Sequence, residues 1–152
     1  MTCSWASVGL ALALLVTTSP CRAQDGTVRE IGVAAVGTTG DPALGIVGLT
    51  GSLRPGYRTR LGALAGGGVW GEDAAARVEL AGHFLLSPRS SEAGLYAGGG
   101  IAGVFSDGQS RGYLMLLIGI EARPGSGDGW FVEGGVGGGA RVAVGWRWRS
   151  RG

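Results

Sequence analysis

The sequence contains no lysine and no asparagine, only five prolines, and two cysteines, Cys3 and Cys21. Charged residues are 16% of the 152, and all 13 basic ones are arginine. The net charge of +2 is too small for a nucleic-acid binder, so no nucleic-acid partner is expected. Few prolines and no glycine at every third position exclude collagen. Low charge beside 45% hydrophobic residues excludes the usual disordered chain. After residue 24 no apolar run reaches 18 residues, which excludes a transmembrane helix.

The first two dozen residues read as a targeting segment. Residues 8–16, VGLALALLV, are an unbroken apolar run of nine, followed by Thr17, Thr18, Ser19 and Pro20. Nine residues are too few to cross a bilayer as a helix, which takes roughly 20. A short apolar core ahead of a small residue is the pattern of a secretory signal peptide. Cleavage after Ala23 gives a signal peptide over 1–23 and a mature domain over 24–152, starting at Gln24. The alternative, lipidation at Cys21, sets Pro20 at the cut and fits poorly. Both cysteines fall before Gln24, so the mature chain has no thiol and no disulfide.

Glycine dominates what remains, at 33 of 152 residues, about three times its usual share. Each glycine costs a helix about 1 kcal/mol relative to alanine, so an all-β chain is expected. Seven turn signals divide the mature sequence: Thr39-Gly40-Asp41-Pro42, Arg54-Pro55-Gly56, Gly71-Glu72-Asp73, residues 87–93, Ser106-Asp107-Gly108, residues 123–129 and Gly137-Gly138-Gly139. They leave eight segments, each long enough for a strand of about 9–11 residues.

Within these segments side chains alternate. Val78, Leu80, Gly82, Phe84 and Leu86 share one parity against Arg77, Glu79, Ala81, His83 and Leu85. Leu114, Leu116, Ile118 and Ile120 oppose Tyr113, Met115, Leu117, Gly119 and Glu121. Trp130 and Val132 oppose Phe131 and Glu133, and Val142, Val144, Trp146 and Trp148 oppose Arg141, Ala143, Gly145 and Arg147. Period two places each set on its own face of a strand. The apolar faces of the earlier segments are Ile31, Val33 and Ala35; Val47, Leu49 and Leu53; Leu61, Ala63, Ala65 and Val69; and, in the fifth segment, Leu95, Ala97, Ile101 and Phe105. Residues 63–71 (ALAGGGVWG) and 95–103 (LYAGGGIAG) agree at five of nine positions. Their separation of one strand pair is what an up-and-down meander produces.

Alternation fits two architectures. A soluble barrel turns the apolar face inward, and a membrane barrel turns it outward. The mixed face, with Met115, Leu117, Gly119, Ala143 and Gly145, makes a poor water-facing surface but suits a narrow packed interior. Phe84, Trp130, Trp146 and Trp148 fall at one end of their segments on the apolar face, where amphipathic rings form a girdle at a membrane interface. Trp70 and Phe105 would fall near the opposite rim, Trp70 only if a glycine bulge at residues 66–68 resets its parity. The expected fold is therefore an all-β, eight-stranded antiparallel up-and-down transmembrane β-barrel preceded by a cleaved signal peptide.

With these eight segments, the leader and a last segment reading RVAVGWRWR, residues 25–152 resemble the small eight-stranded outer-membrane β-barrels of the OmpX-like and OmpA-domain type. The resemblance implies residence in the outer membrane, contact with its lipid, and passage through the barrel-assembly machinery by way of the final strand. A monomer is expected.

The mixed face carries Arg58, Arg60, Arg77, Glu79, His83, Glu121, Glu133, Arg141 and Arg147. Unpaired charge in a closed interior is very costly, so a lumenal network of arginine–carboxylate pairs is expected, with Glu133 and Arg141 paired across a hairpin symmetric about Gly137. His83 is the only histidine and the mature chain has no cysteine, so no zinc site and no cofactor are expected. Ser87, Ser90 and Ser91 lie beyond His83 with no nucleophile motif around them, and the glycine runs lack the Lys-Ser/Thr of a phosphate loop. The function expected is non-enzymatic: structural, protective or surface-interacting. Two alternatives are a soluble lipocalin-like barrel binding an apolar ligand and, less favoured, a lipid-modifying membrane enzyme.

Overall fold

The computed structural model describes residues 27–151. The leader, Cys3, Cys21 and the cleavage at Gln24 lie outside the described residues. Eight strands follow in order: β1 Val28–Thr38, β2 Leu44–Arg54, β3 Thr59–Trp70, β4 Asp73–Leu85, β5 Ala93–Ser106, β6 Gln109–Ala122, β7 Asp128–Val136 and β8 Ala140–Arg151. Each pairs antiparallel with the next, and β8 returns to β1, so the sheet closes into a barrel without a crossover. Closure removes the free edges that an open sheet would expose.

The turns fall where glycine, proline and aspartate cluster. Gly71 (φ 66°) turns β3 into β4, and Gly138 (φ 86°) and Gly139 (φ 118°) turn β7 into β8. These are left-handed conformations that a side chain resists. Residues 55–58, 86–92 and 123–127 connect strands at the rim that also carries Val28 and Arg151, the terminal rim. Residues 39–43, 71–72, 107–108 and 137–139 connect them at the opposite rim. A strand of 11 residues at about 3.3 Å per residue, tilted about 45°, rises about 25 Å, the height of the apolar band of a membrane barrel.

The two faces sort by parity. Ile31, Leu49, Leu61, Leu80, Ile101, Leu116, Val132 and Val144 point outward, one from each strand, and are exposed. Arg60, Arg77, Tyr96, Phe131 and Glu121 point inward and are buried. Inside, large side chains stand opposite glycines. Tyr96 is paired with Gly119 and Phe131 with Gly145. A Cβ on Gly119 would lie 2.6 Å from the Tyr96 hydroxyl, and one on Gly145 would lie 2.6 Å from the Phe131 ring. Glycine at these two positions is therefore the space that the aromatic ring fills.

Two expectations are corrected. Trp70 is buried and turned inward, because β3 pairs with β2 and β4 in unbroken register through residues 66–68 and no bulge shifts its parity. Its Nε1 donates to the Pro42 carbonyl at 2.9 Å, and the Arg111 guanidinium lies 5.0 Å from its ring centre. The β7–β8 hairpin is centred on Gly138 rather than Gly137, since Val136 pairs with Ala140.

Candidate functional site: an arginine–glutamate network in the lumen

Seven of the eight strands send a charged side chain into the barrel: Glu30 from β1, Arg54 from β2, Arg60 from β3, Arg77, Glu79 and His83 from β4, Glu121 from β6, Glu133 from β7, and Arg141, Arg147 and Arg149 from β8. The fifth strand adds the Tyr96 hydroxyl. Parity alone dictates this. Once the apolar face is outside, every polar residue of the other parity is committed to the interior.

The pairs form two joined clusters. Near the terminal rim, Glu30 and Glu121 share three arginines. Arg60 contacts Glu30 Oε2 through Nε at 2.8 Å and Glu121 Oε2 through Nη2 at 2.6 Å. Arg54 reaches Glu30 at 2.6 Å and Glu121 at 3.2 Å. Arg149 reaches the same two carboxylates at 3.1 and 2.9 Å. Ser52 donates to Glu30 at 2.6 Å. Toward the opposite rim, Glu79 accepts from Arg77 at 2.6 Å and Arg141 at 2.8 Å, and Arg141 also holds Glu133 at 2.9 Å. Arg147 joins the clusters, reaching Glu121 at 3.2 Å and Glu133 at 3.1 Å while its guanidinium lies 3.8 Å from the centre of the Phe131 ring. Tyr96 donates to Glu133 at 2.9 Å.

Each carboxylate thus meets at least two cations, an arrangement in which the guanidinium fork can serve two acceptors at once. Low-dielectric burial strengthens every such contact and penalises any group left alone. The lumen retains a cavity of about 40 Å³ lined by Arg60, Glu79, His83, Glu133, Arg141 and Arg147, room for a few waters.

Sequence parity singled out Arg77, Glu79, His83, Glu121, Glu133, Arg141 and Arg147, and the structure places all seven inside. Glu133 and Arg141 meet diagonally: Glu133 stands opposite Ala143, and Arg141 opposite Gly135. Arg58 is a correction. It lies in the 55–58 connection and is exposed, because β3 starts only at Thr59. Sequence reading missed Glu30, Arg54, Tyr96 and Arg149. The outward parity of Ile31 already implied Glu30. Arg54 falls in the Arg54-Pro55-Gly56 turn cluster, whereas Arg149, the last residue of RVAVGWRWR, shares the parity of Arg141 and Arg147.

His83 lies 4.0 Å from Glu133 Oε1, with its ring edge-to-face against Tyr96 at 5.5 Å. It faces the lumen, whereas Ser87, Ser90 and Ser91 lie in the 86–92 connection at the terminal rim. Phe84, Trp130 and Trp148 are exposed on the outer wall, and Trp146 is half-buried on the same face; all four lie toward the terminal rim. Among the described residues, no group of three His, Cys, Asp or Glu side chains is placed to hold a metal.

No family profile matches the sequence, and no curated protein matches it. Among solved structures, the N-terminal β-barrel domain of Pseudomonas aeruginosa OprF is similar at a TM-score of 0.62 and 11% identity, over 80% of this chain and 97% of that one. Ail, the attachment invasion locus protein of Yersinia pestis, is similar at a TM-score of 0.46 and 16% identity, over 83% of this chain and 99% of that one. The OprF likeness alone carries weight, and it concerns fold. The chain is an all-β protein whose eight antiparallel strands form a closed barrel, similar in fold to that β-barrel domain.

Proposed function

We propose that this chain is an integral outer-membrane β-barrel with a structural role in the envelope, neither an enzyme nor a solute pore. One observation carries the reading: the barrel is apolar outside and charged inside. Large hydrophobic side chains from all eight strands are exposed, among them Leu114 at 82% and Leu49 at 70%. Soluble monomers rarely expose contiguous apolar patches beyond a few hundred Å². Lipid removes that penalty, and a closed barrel is one of the two backbone arrangements that can cross it.

The filled lumen supports a structural role over transport, since an eight-stranded barrel encloses little beyond its own side chains. The connections at the opposite rim, of two to five residues, leave little surface for adhesion if the terminal rim faces the periplasm. A lipocalin-like soluble barrel requires an open apolar interior, whereas arginine–glutamate pairs cross this one between packed apolar side chains. Lipid-modifying catalysis through His83 requires a nearby nucleophile, and the serines after β4 are on the rim. The partners that follow are outer-membrane lipid and the barrel-assembly machinery, and the expected state is a monomer.

Cell fractionation combined with gel mobility of unheated and boiled samples tests this reading. The expected result is recovery in the outer-membrane fraction and a mobility change on boiling. Recovery as a soluble protein without detergent overturns it.

A further inference from the structure

The charges inside the barrel do not balance. Among the described residues, Arg54, Arg60, Arg77, Arg141, Arg147 and Arg149 turn into the lumen against Glu30, Glu79, Glu121 and Glu133. Six arginines against four glutamates leave a surplus of two positive charges, and a proton on His83 would only widen it. Uncompensated charge is costly in a closed interior. Toward the rims, backbone carbonyls ease it. Arg54 Nη1 donates to Pro124 at 3.1 Å, Arg149 Nη1 to Arg123 at 3.3 Å and Arg77 Nη2 to Gly137 at 3.1 Å.

Arg60 has no such relief. It is completely buried. Its Nε faces Glu30 and its Nη2 faces Glu121. Its Nη1 is buried and meets no acceptor among the described residues. The Tyr96 ring lies 5.2 Å from this guanidinium, but the Tyr96 hydroxyl is turned to Glu133. A guanidinium donates from all three nitrogens, so one donor edge of a buried cation is left over.

Arg60 lines the lumenal cavity of about 40 Å³. The other charged walls are Arg141, Arg147, Glu79 and Glu133. Both carboxylates are already taken up by two arginines each: Glu79 by Arg77 and Arg141, Glu133 by Arg141 and Arg147. Three arginines against two glutamates give the wall a surplus of one positive charge. Small residues, Gly62, Ala81 and Ala143, leave the room. Gly62 and Ala81 are partners across the β3–β4 ladder. A Cβ on Gly62 would come no closer than 3.5 Å to any neighbour, so packing does not demand the space.

We propose that the lumen binds one small monovalent anion of the halide type in this cavity, with Arg60 Nη1 as its principal donor. A single negative charge matches the surplus on the wall, and the volume holds an ion little larger than a water. Guanidinium is weakly hydrated, so it gives up little to meet such an ion, and low-dielectric walls focus their field on it. The inference is independent of the membrane reading, because the cavity lies inside the barrel whatever surrounds the outer wall.

Bromide is the probe. The chain produced from Gln24 onward is refolded in detergent with sodium bromide or, at equal ionic strength, sodium gluconate, whose anion is too large for the cavity. Urea unfolding is followed at rising bromide. A ligand held only by the folded state multiplies the folded-to-unfolded ratio by one plus its concentration over its dissociation constant, so going from half-saturation to ten times that concentration should raise the ratio about fivefold. R60Q should lose this gain. A81L, which fills the cavity without altering a charge, should lose it too, and it decides the matter if R60Q fails to fold. General salt effects persist in both variants and are thereby separated. Crystals grown in bromide should show an anomalous peak beside Arg60 in the lumen. Unfolding indifferent to bromide, an equal gain in wild type and A81L, or crystals without a lumenal peak overturns the proposal. A peak without the gain in solution marks an adventitious ion only and overturns it as well.

Discussion

Glu133 and Arg141 meet at 2.9 Å although neither stands opposite the other in the β7–β8 ladder. Glu133 faces Ala143 across the strands, and Arg141 faces Gly135. The pair is diagonal, and small partners at both opposing positions give the two long side chains room to cross. The same Glu133 also holds Arg147 and accepts from Tyr96, so its removal takes a buried acceptor from three groups at once.

Glu133→Ala should therefore be among the most damaging single changes in the lumen. Removing one partner from a buried pair typically costs about 3–5 kcal/mol. Glu92→Ala, in the exposed 86–92 connection, should cost under about 0.5 kcal/mol. Urea unfolding of the refolded barrel, followed by loss of the fast-migrating gel form, measures both. Equal midpoints would show that the network contributes nothing to stability.

Steric fit makes a second, charge-free prediction. Gly119→Val drives a branched side chain into Tyr96, and Gly145→Val does the same to Phe131. Forcing bulk into a packed interior costs about 1–3 kcal/mol or more. Gly51, with open space where its Cβ would be and an outward position, should accept alanine with little change. Tyr96→Ala combined with Gly119→Val should recover part of the loss, because the second change refills space vacated by the first. Unfolding midpoints of the four variants decide it, and a harmless Gly119→Val would contradict the packing described.

A third prediction uses neighbouring residues of opposite parity. Leu116 is 68% exposed on the outer wall and Met115 is 2% exposed inside. Leu116→Arg sets a cation toward lipid, at a cost of roughly 2–4 kcal/mol at mid-depth, and should reduce insertion. Met115→Arg is not its mild counterpart: the Arg77 Nη2 lies 3.6 Å from the Met115 sulfur, and two cations would collide there. Met115→Glu instead offers Arg77 a carboxylate and should insert. Counting the inserted fraction by boiling-dependent mobility gives the comparison. A Met115→Glu barrel that inserts worse than Leu116→Arg would reverse the assigned faces.

Much of this architecture is legible in the sequence because period two is a local property. The seven turn clusters fall within a few residues of the observed connections, and residues such as Leu116, Trp148 and Glu79 lie on the face that their parity dictates. The misses occur where local rules compete. Trp70 reads as a girdle residue by type, but unbroken β-pairing keeps it inward, where it caps the lumen against Pro42. Arg54 is the last residue of β2, where the composition of the Arg54-Pro55-Gly56 turn overrides alternation and no local signal marks the last paired residue. The sharing of Arg147 between Glu121 and Glu133 depends on how eight strands close around one axis, which no segment encodes alone. The centring of the β7–β8 hairpin is of the same kind: three consecutive glycines offer three equally permissive turn positions, and the ladder chooses Gly138.

The central claim is that, over residues 114–119 of β6, even-numbered side chains face lipid and odd-numbered ones face the lumen. The two cysteines are at positions 3 and 21, so in a chain produced from Gln24 onward single cysteines at positions 114–119 give clean attachment sites for a fluorophore. Quenching by lipids brominated along the acyl chain then reports contact with the hydrocarbon directly. The account predicts strong quenching at 114, 116 and 118 and weak quenching at 115, 117 and 119, a two-residue oscillation across the strand. Strong quenching at the odd positions, or none anywhere in a sample that has folded, would contradict it.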